Sequence, residues 1–115
     1  MKLRTIAELL EAEIFCPEEH LEKEVPCAFG SDLISDILMC TKEPTVLLTG
    51  LTNPQIVRLS DMIDLLGIIF VRGKKPTQEL IEMARERHLP MISTAFTLYK
   101  SSGILYNNGL RSCKI

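Results

Sequence analysis

Short apolar runs and longer amphipathic stretches alternate along this chain, with Gly, Pro, Ser, Thr or Asn at nearly every junction. Thr45-Val46-Leu47-Leu48-Thr49 and Ile68-Ile69-Phe70-Val71 are apolar at successive positions and rich in β-branched residues, the pattern of strands buried on both faces. Val25 to Phe29 and Met91-Ile92-Ser93 are further strand-like runs; Pro26 cannot donate to a ladder, which puts the former at a strand start or a sheet edge. Between these runs the apolar residues fall at helical spacing. Leu33, Ile34, Ile37, Leu38 and Met39 follow Ser31-Asp32, either of which can cap a helix. Ile56, Val57, Leu59, Met62, Ile63, Leu65 and Leu66 follow Asn53-Pro54, an N-cap with proline at the first helical position, and Gly67 closes that helix. Leu80, Ile81 and Ala84 follow Pro76-Thr77 in a helix to about Arg87, and Leu98, Tyr99, Ile104, Leu105 and Tyr106 follow Thr97.

The N-terminal segment is simpler. Thr5-Ile6-Ala7-Glu8 matches a capping box and predicts a short helix to about Glu11. Glu13 to Cys16 alternates polar and apolar before Pro17 and predicts a short strand, whereas Leu21 to Glu24 carries too much charge for a core element. At the other end the last helix weakens at Asn107-Asn108-Gly109. The elements together predict an α/β fold, a single three-layer domain with a mostly parallel sheet of four to five strands flanked by helices. Residues 1–24 supply an N-terminal helix and short strand, 25–109 the repeated strand–helix units, and 110–115 a loose tail.

If the strands run parallel, the turns after them gather on one edge, where open α/β sheets bind their ligands. That edge collects Ser31, Asp32, Thr49, Gly50, Thr52, Asn53, Arg72, Gly73, Lys74, Lys75, Ser93 and Thr94 as candidate ligand-binding residues. Helix N-termini beside fixed cations suit phosphate or carboxylate, and the hydroxyl and amide groups suit a polar metabolite held without reaction. Taken singly, each Ser, Thr or Asn reads more readily as a helix cap or turn residue than as a ligand contact, and the cluster says more than its members.

Composition narrows the classes. At 115 residues the chain can bury roughly two thirds of its unfolded surface, enough for a core without metal or disulfides. Thirteen basic and fifteen acidic residues, interspersed, argue against a nucleic-acid or anionic-membrane partner. The first residues lack the apolar core of a secretory leader and no apolar run approaches the ~20 residues of a membrane span, so a cytoplasmic protein is expected. Cys16, Cys27, Cys40 and Cys113 show no C-x-x-C spacing and read as inert reduced thiols, Cys113 being the one expected at the surface. No metal and no cofactor is implied. Neither a P-loop nor G-x-G-x-x-G is present, which excludes ATP-cradling and dinucleotide enzymes of those types. His20 and His88 lie in charged surroundings and read as surface residues; Asp32 and Asp36, spaced i, i+4, could pair as carboxylates but have no visible metal partner.

The stretches Thr45 to Pro54, Gly67 to Pro76 and Leu89 to Thr94 with the helix that follows resemble the DRTGG domain, in which a strand ends in a Thr-Gly turn, a second strand follows, and a Pro-led strand ends in a Ser/Thr turn. The resemblance runs from about Cys27 to Gly109 and is strongest to small stand-alone members, some of which accompany iron hydrogenases. Thr49-Gly50 fits the Thr-Gly of the name-giving string, Leu51 replaces its last glycine, and no Asp-Arg precedes it. The resemblance implies the non-catalytic fold found in phosphotransacetylases, between CBS modules of some pyrophosphatases, and in the N-terminal domain of HPr kinase/phosphorylase, whose P-loop lies in a separate domain. It implies a regulatory or ligand-sensing module that self-associates, with a homodimer expected, and not an enzyme. Two functions follow: a sensor of a phosphorylated or nucleotide-like metabolite at the sheet edge, or a protein–protein interaction module, accessory to a redox enzyme such as an iron hydrogenase, pairing through the Tyr99–Tyr106 helix.

Overall fold

The computed structural model describes residues 1–40 and 42–114, and of Cys40 its backbone alone; the thiol of Cys40 and the last tail residue, Ile115, lie outside the described residues. The elements in chain order are α1 (Leu3–Leu9), β1 (Glu13–Ile14), a 3₁₀ turn (Glu18–Glu22), β2 (Cys27–Gly30), α2 (Ile34–Cys40), β3 (Thr45–Thr49), α3 (Pro54–Arg58), a 3₁₀ turn (Leu59–Asp61), β4 (Leu65–Phe70), α4 (Gln78–Glu86), β5 (Met91–Ser93), α5 (Leu98–Asn107) and β6 (Arg111–Ser112). The described strands form one six-stranded sheet in the order β1-β5-β4-β3-β2-β6. All neighbours pair parallel except β1, which runs antiparallel to β5.

From β2 to β5 the chain steps sideways one strand at a time in a constant direction. Successive right-handed crossovers in one direction put their helices on one face. Ile37 of α2, Ile56 and Val57 of α3, and Leu80 and Ala84 of α4 accordingly pack with Leu47, Ile68, Phe70 and Met91. The return from β5 to β6 crosses the opposite face, where Leu105 of α5 joins Leu3 and Ile6 of α1 over Val46, Leu48, Ile69 and Ile92. Alternate residues of β3 and β4 thus feed two cores, which is why Val46 to Leu48 and Ile68 to Phe70 are apolar at successive positions. The four parallel strands expected from the sequence are present, with β4 between β5 and β3 near the middle of the sheet.

Several elements depart from expectation for identifiable reasons. The sheet has six strands because the segment expected to be a loose tail adds β6 to β2, burying Leu110 and Cys113. Helix α1 begins before Thr5, at an isolated bridge between Lys2 and Glu24, so the capping-box threonine lies inside the helix and caps nothing. Leu21 is fully buried within its 3₁₀ turn, its charged neighbours pointing away from a single apolar anchor. The Asn53-Pro54 helix stops after five residues, and Leu65 and Leu66 belong to β4, with Gly67 inside the strand. The register shift between Thr45 and Val46 absorbs the extra residue. A Cβ on Gly67 would lie 3.4 Å from the carbonyl oxygen of Pro90, which precedes β5, no closer than ordinary van der Waals contact. No described helix is long and apolar enough to cross a membrane.

Candidate functional site

Parallel pairing brings the four strand-ending turns to one edge, in register: Gly30 lies beside Leu48, Thr49 beside Phe70, and Phe70 beside Ser93. Most polar side chains here bind the turns to one another. Ser31 accepts the Leu33 N–H at 3.0 Å, and its own N–H donates to the Leu48 carbonyl. Asp32 precedes α2, and its Oδ1 accepts from Thr49 Oγ1 at 2.9 Å and the Gly50 N–H at 2.7 Å. That carboxylate joins the turn after β2 to the turn after β3 and is not on a helix face with Asp36, so the i, i+4 carboxylate pair does not form. Thr49, fully buried, also accepts the Leu51 N–H.

Two turns away, Ser93 donates to the Lys74 carbonyl at 2.6 Å. Thr94, 1% exposed, donates to the Leu10 carbonyl at the end of α1 (2.7 Å) and accepts the Phe96 N–H (3.2 Å). Thr77 and Thr97 cap α4 and α5 by accepting from Leu80 N and Lys100 N. Asn53 holds the N-cap position of α3 without a side-chain cap bond.

The turn after β4 has a different character. Arg72 and Gly73 both take left-handed backbone, with φ of 57° and 71°. The Arg72 N–H donates to the Phe96 carbonyl at 2.8 Å and the Gly73 N–H to the Thr94 carbonyl at 2.9 Å, which fixes the conformation a non-glycine residue enters reluctantly. The Arg72 guanidinium lies against Gly50, where a Cβ would meet Nη2 at 2.6 Å, so the glycine of the Thr-Gly turn makes room for it. Lys75 is paired with Glu13 at 2.9 Å, pinning β1, while among the described residues Arg72 and Lys74 have no acidic partner. Lys100 stands 4.0 Å over the Phe96 ring beside the same turn. This edge therefore presents exposed, uncompensated cations on a rigid turn, framed by Gly50 and Gly73.

The structure also assembles groups that the sequence did not unite. A cavity of about 580 Å³ lies between the segment after β1 and α4, lined by Phe15, Cys16, Ile81 and Leu89 together with His20 and His88. The two imidazoles meet edge to face at 6.4 Å, and His20 Nδ1 is buried without a hydrogen-bond partner among the described residues. Burial raises the Cys16 thiol above its ordinary pKa. Among the described residues no group of three or more His, Cys, Asp or Glu is placed to hold a metal ion. At the opposite edge, Cys113, expected at the surface, is 4% exposed and in contact with Cys27.

No family model and no curated protein matches the chain. Among solved structures the fold is similar to that of the CBS and DRTGG domains of the regulatory region of Clostridium perfringens pyrophosphatase, crystallised with its activator diadenosine tetraphosphate. The TM-score is 0.72 at 19% identity over 90% of this chain and 45% of that one. The chain thus spans less than half the length of that regulatory region, and the likeness is one of fold.

Proposed function

We propose that this chain is a non-catalytic, ligand-sensing regulatory module that binds a phosphorylated or nucleotide-like metabolite at the C-terminal edge of its sheet. One observation carries the reading: Arg72 and Lys74, on a turn held in left-handed backbone by bonds to Thr94 and Phe96, lack acidic partners among the described residues and face solvent beside Gly50. Uncompensated cations on a preorganised turn are what a phosphate needs, since little ordering cost remains to be met on binding. Thr52 and Asn53, without side-chain hydrogen bonds among the described residues, are the polar groups of this edge left to meet such a ligand; Asp32, Ser93 and Thr94 hold the turns instead. The similar regulatory region of the pyrophosphatase was crystallised with a dinucleoside polyphosphate, which makes that compound the first probe to try.

The test is a thermal-shift titration of the purified protein with diadenosine tetraphosphate, ATP, ADP, AMP and coenzyme A. A ligand at a hundredfold over its Kd adds about 2.7 kcal/mol, a rise of several degrees for a domain of this size. Lys74→Glu and Arg72→Glu should each abolish the rise while leaving the unliganded Tm unchanged, and undiminished binding in both would overturn the assignment. A second reading, a protein-interaction module forming a homodimer or docking on a redox enzyme, draws support from α5, which leaves Tyr99 90% and Tyr106 69% exposed. Under that reading sedimentation gives a concentration-dependent dimer that Tyr99→Ser with Tyr106→Ser dissociates, and no nucleotide shifts the Tm.

A further inference from the structure

Cys27 begins β2, and Cys113 directly follows β6, the two-residue strand that closes the far edge of the sheet. The two strands run parallel, with Ala28 opposite Ser112, and the Cys113 N–H donates to the Ala28 carbonyl at 3.1 Å. Their sulfurs lie 2.7 Å apart, both thiols reduced and both residues buried. Thr45 Oγ1, also fully buried, touches Cys113 Sγ at 2.7 Å, and Cys27 Sγ donates to the Pro44 carbonyl at 3.3 Å. Two thiols separated by 86 positions in sequence are thus brought into contact by the fold alone.

We propose that Cys27 and Cys113 are a redox-active dithiol, oxidised by a small disulfide such as oxidised glutathione to an intramolecular disulfide that locks β6 to β2. One protein thiolate attacks a sulfur of the oxidant, forming a mixed disulfide and releasing one equivalent of small thiol. The second protein thiolate attacks the protein sulfur of that mixed disulfide, forming the Cys27–Cys113 bond and releasing the other equivalent. The protein pair loses two protons and two electrons, and the small disulfide is reduced to two thiols.

Burial, with the neighbouring Cys27 thiol adding to it, pushes the Cys113 pKa up to about 12, so the closed protein holds very little thiolate. Attack then requires β6 to open. A two-residue edge strand is the element most ready to do so, held by its pairing with β2, by the burial of Leu110 and Cys113, and by Glu43, which takes Arg111 in a bidentate pair at 2.7 and 3.2 Å and accepts the Lys114 N–H at 2.8 Å. Oxidation replaces this opening with a covalent closure of most of the chain, the geometry in which a disulfide constrains the unfolded state most. It also fixes one wall of the cavity of about 240 Å³ that Cys113 lines with Gly30, Leu105 and Leu110.

The full chain is equilibrated in oxidised-to-reduced glutathione mixtures, and with diamide as a faster oxidant, then alkylated after unfolding and mapped by mass spectrometry under non-reducing conditions. The expected product is a linked peptide pair containing Cys27 and Cys113, lighter by two hydrogens, with Cys16 and Cys40 alkylated. Its Tm should rise by roughly 5 °C or more and fall back with dithiothreitol. Arg111→Gln should speed the oxidation several-fold by loosening β6, and Cys113→Ser should remove the Tm response. Four alkylatable thiols at the most oxidising poise, a glutathione adduct that never resolves, a bridge involving Cys16 or Cys40, or a Cys27–Cys113 bridge without a Tm rise would each overturn the proposal. The wild-type mapping decides the matter even where a variant folds poorly.

Discussion

Replacing Thr94 by valine separates a structural strut from a ligand contact at the proposed edge. The threonine hydroxyl donates to the Leu10 carbonyl and accepts the Phe96 N–H, and the residue is 1% exposed. Valine keeps the shape and removes both bonds. Leu10 is fully buried, so its carbonyl loses a hydrogen bond where water does not replace it; Phe96 is half-buried, and its N–H regains part of its solvation. A buried group left unsatisfied costs about 1–3 kcal/mol. With the carbonyl near the middle of that range and the half-exposed amide, re-solvated by water, below it, the loss is roughly 2–3 kcal/mol, a fall in Tm of roughly 8–15 °C. Thr94→Ser keeps the hydroxyl and gives up one methyl group, about 1 kcal/mol. Urea denaturation with unchanged m-values measures both. A Thr94→Val protein as stable as Thr94→Ser would show that the hydroxyl is not joining α1 to the β5 turn, and the reading of this edge as internally braced would fail.

The other expected outcomes concern the edge and the C-terminal clamp. Asp32→Ala frees the Thr49 hydroxyl and the Gly50 N–H, so the turn after β3 should lose about 1–2 kcal/mol, seen as faster hydrogen exchange at Gly50; unchanged protection there would rule out the bracing role. The Arg111 guanidinium, with the Lys114 N–H, holds the Glu43 carboxyl down to about pKa 2 against an ordinary 4.5. Because the folded-state value is depressed, the stability this group contributes is present above pH 4.5 and is lost as the pH falls from 4.5 toward 2. Arg111→Ala should flatten that part of a Tm-against-pH curve, and two superimposable curves would refute the clamp.

Much of the sheet was legible because its central strands are buried on both faces. A run such as Thr45 to Thr49 has no solvent-facing position to interrupt it, and Asn53-Pro54, Thr77 and Thr97 mark helix starts by local chemistry that the fold retains. What escaped were features set by long-range packing. β1 and β6 are two-residue, exposed edge strands that exist because a neighbour offers free backbone groups, and nothing in Arg111-Ser112 announces a strand. The junction at Leu65 to Gly67 misleads because a continuous apolar run fits the end of a helix and the start of a buried strand alike; the 3₁₀ turn at Leu59–Asp61 decides it. At the edge, the residue types were readable but not their partners. Asp32 looked like a cap for its own helix and instead braces the neighbouring turn, while the contacts of Cys27 with Cys113 and of His20 with His88 have no local signature at all.

The proposed seat of a phosphorylated ligand is the turn after β4 beside Gly50. Titrating ¹⁵N-labelled protein with diadenosine tetraphosphate while following every backbone amide tests that location directly. Saturable shifts are expected at Gly50 to Asn53 and Arg72 to Lys75, absent in Lys74→Glu. Shifts centred on His20 and His88, shifts confined to α5, or an unchanged spectrum at millimolar ligand would contradict that location.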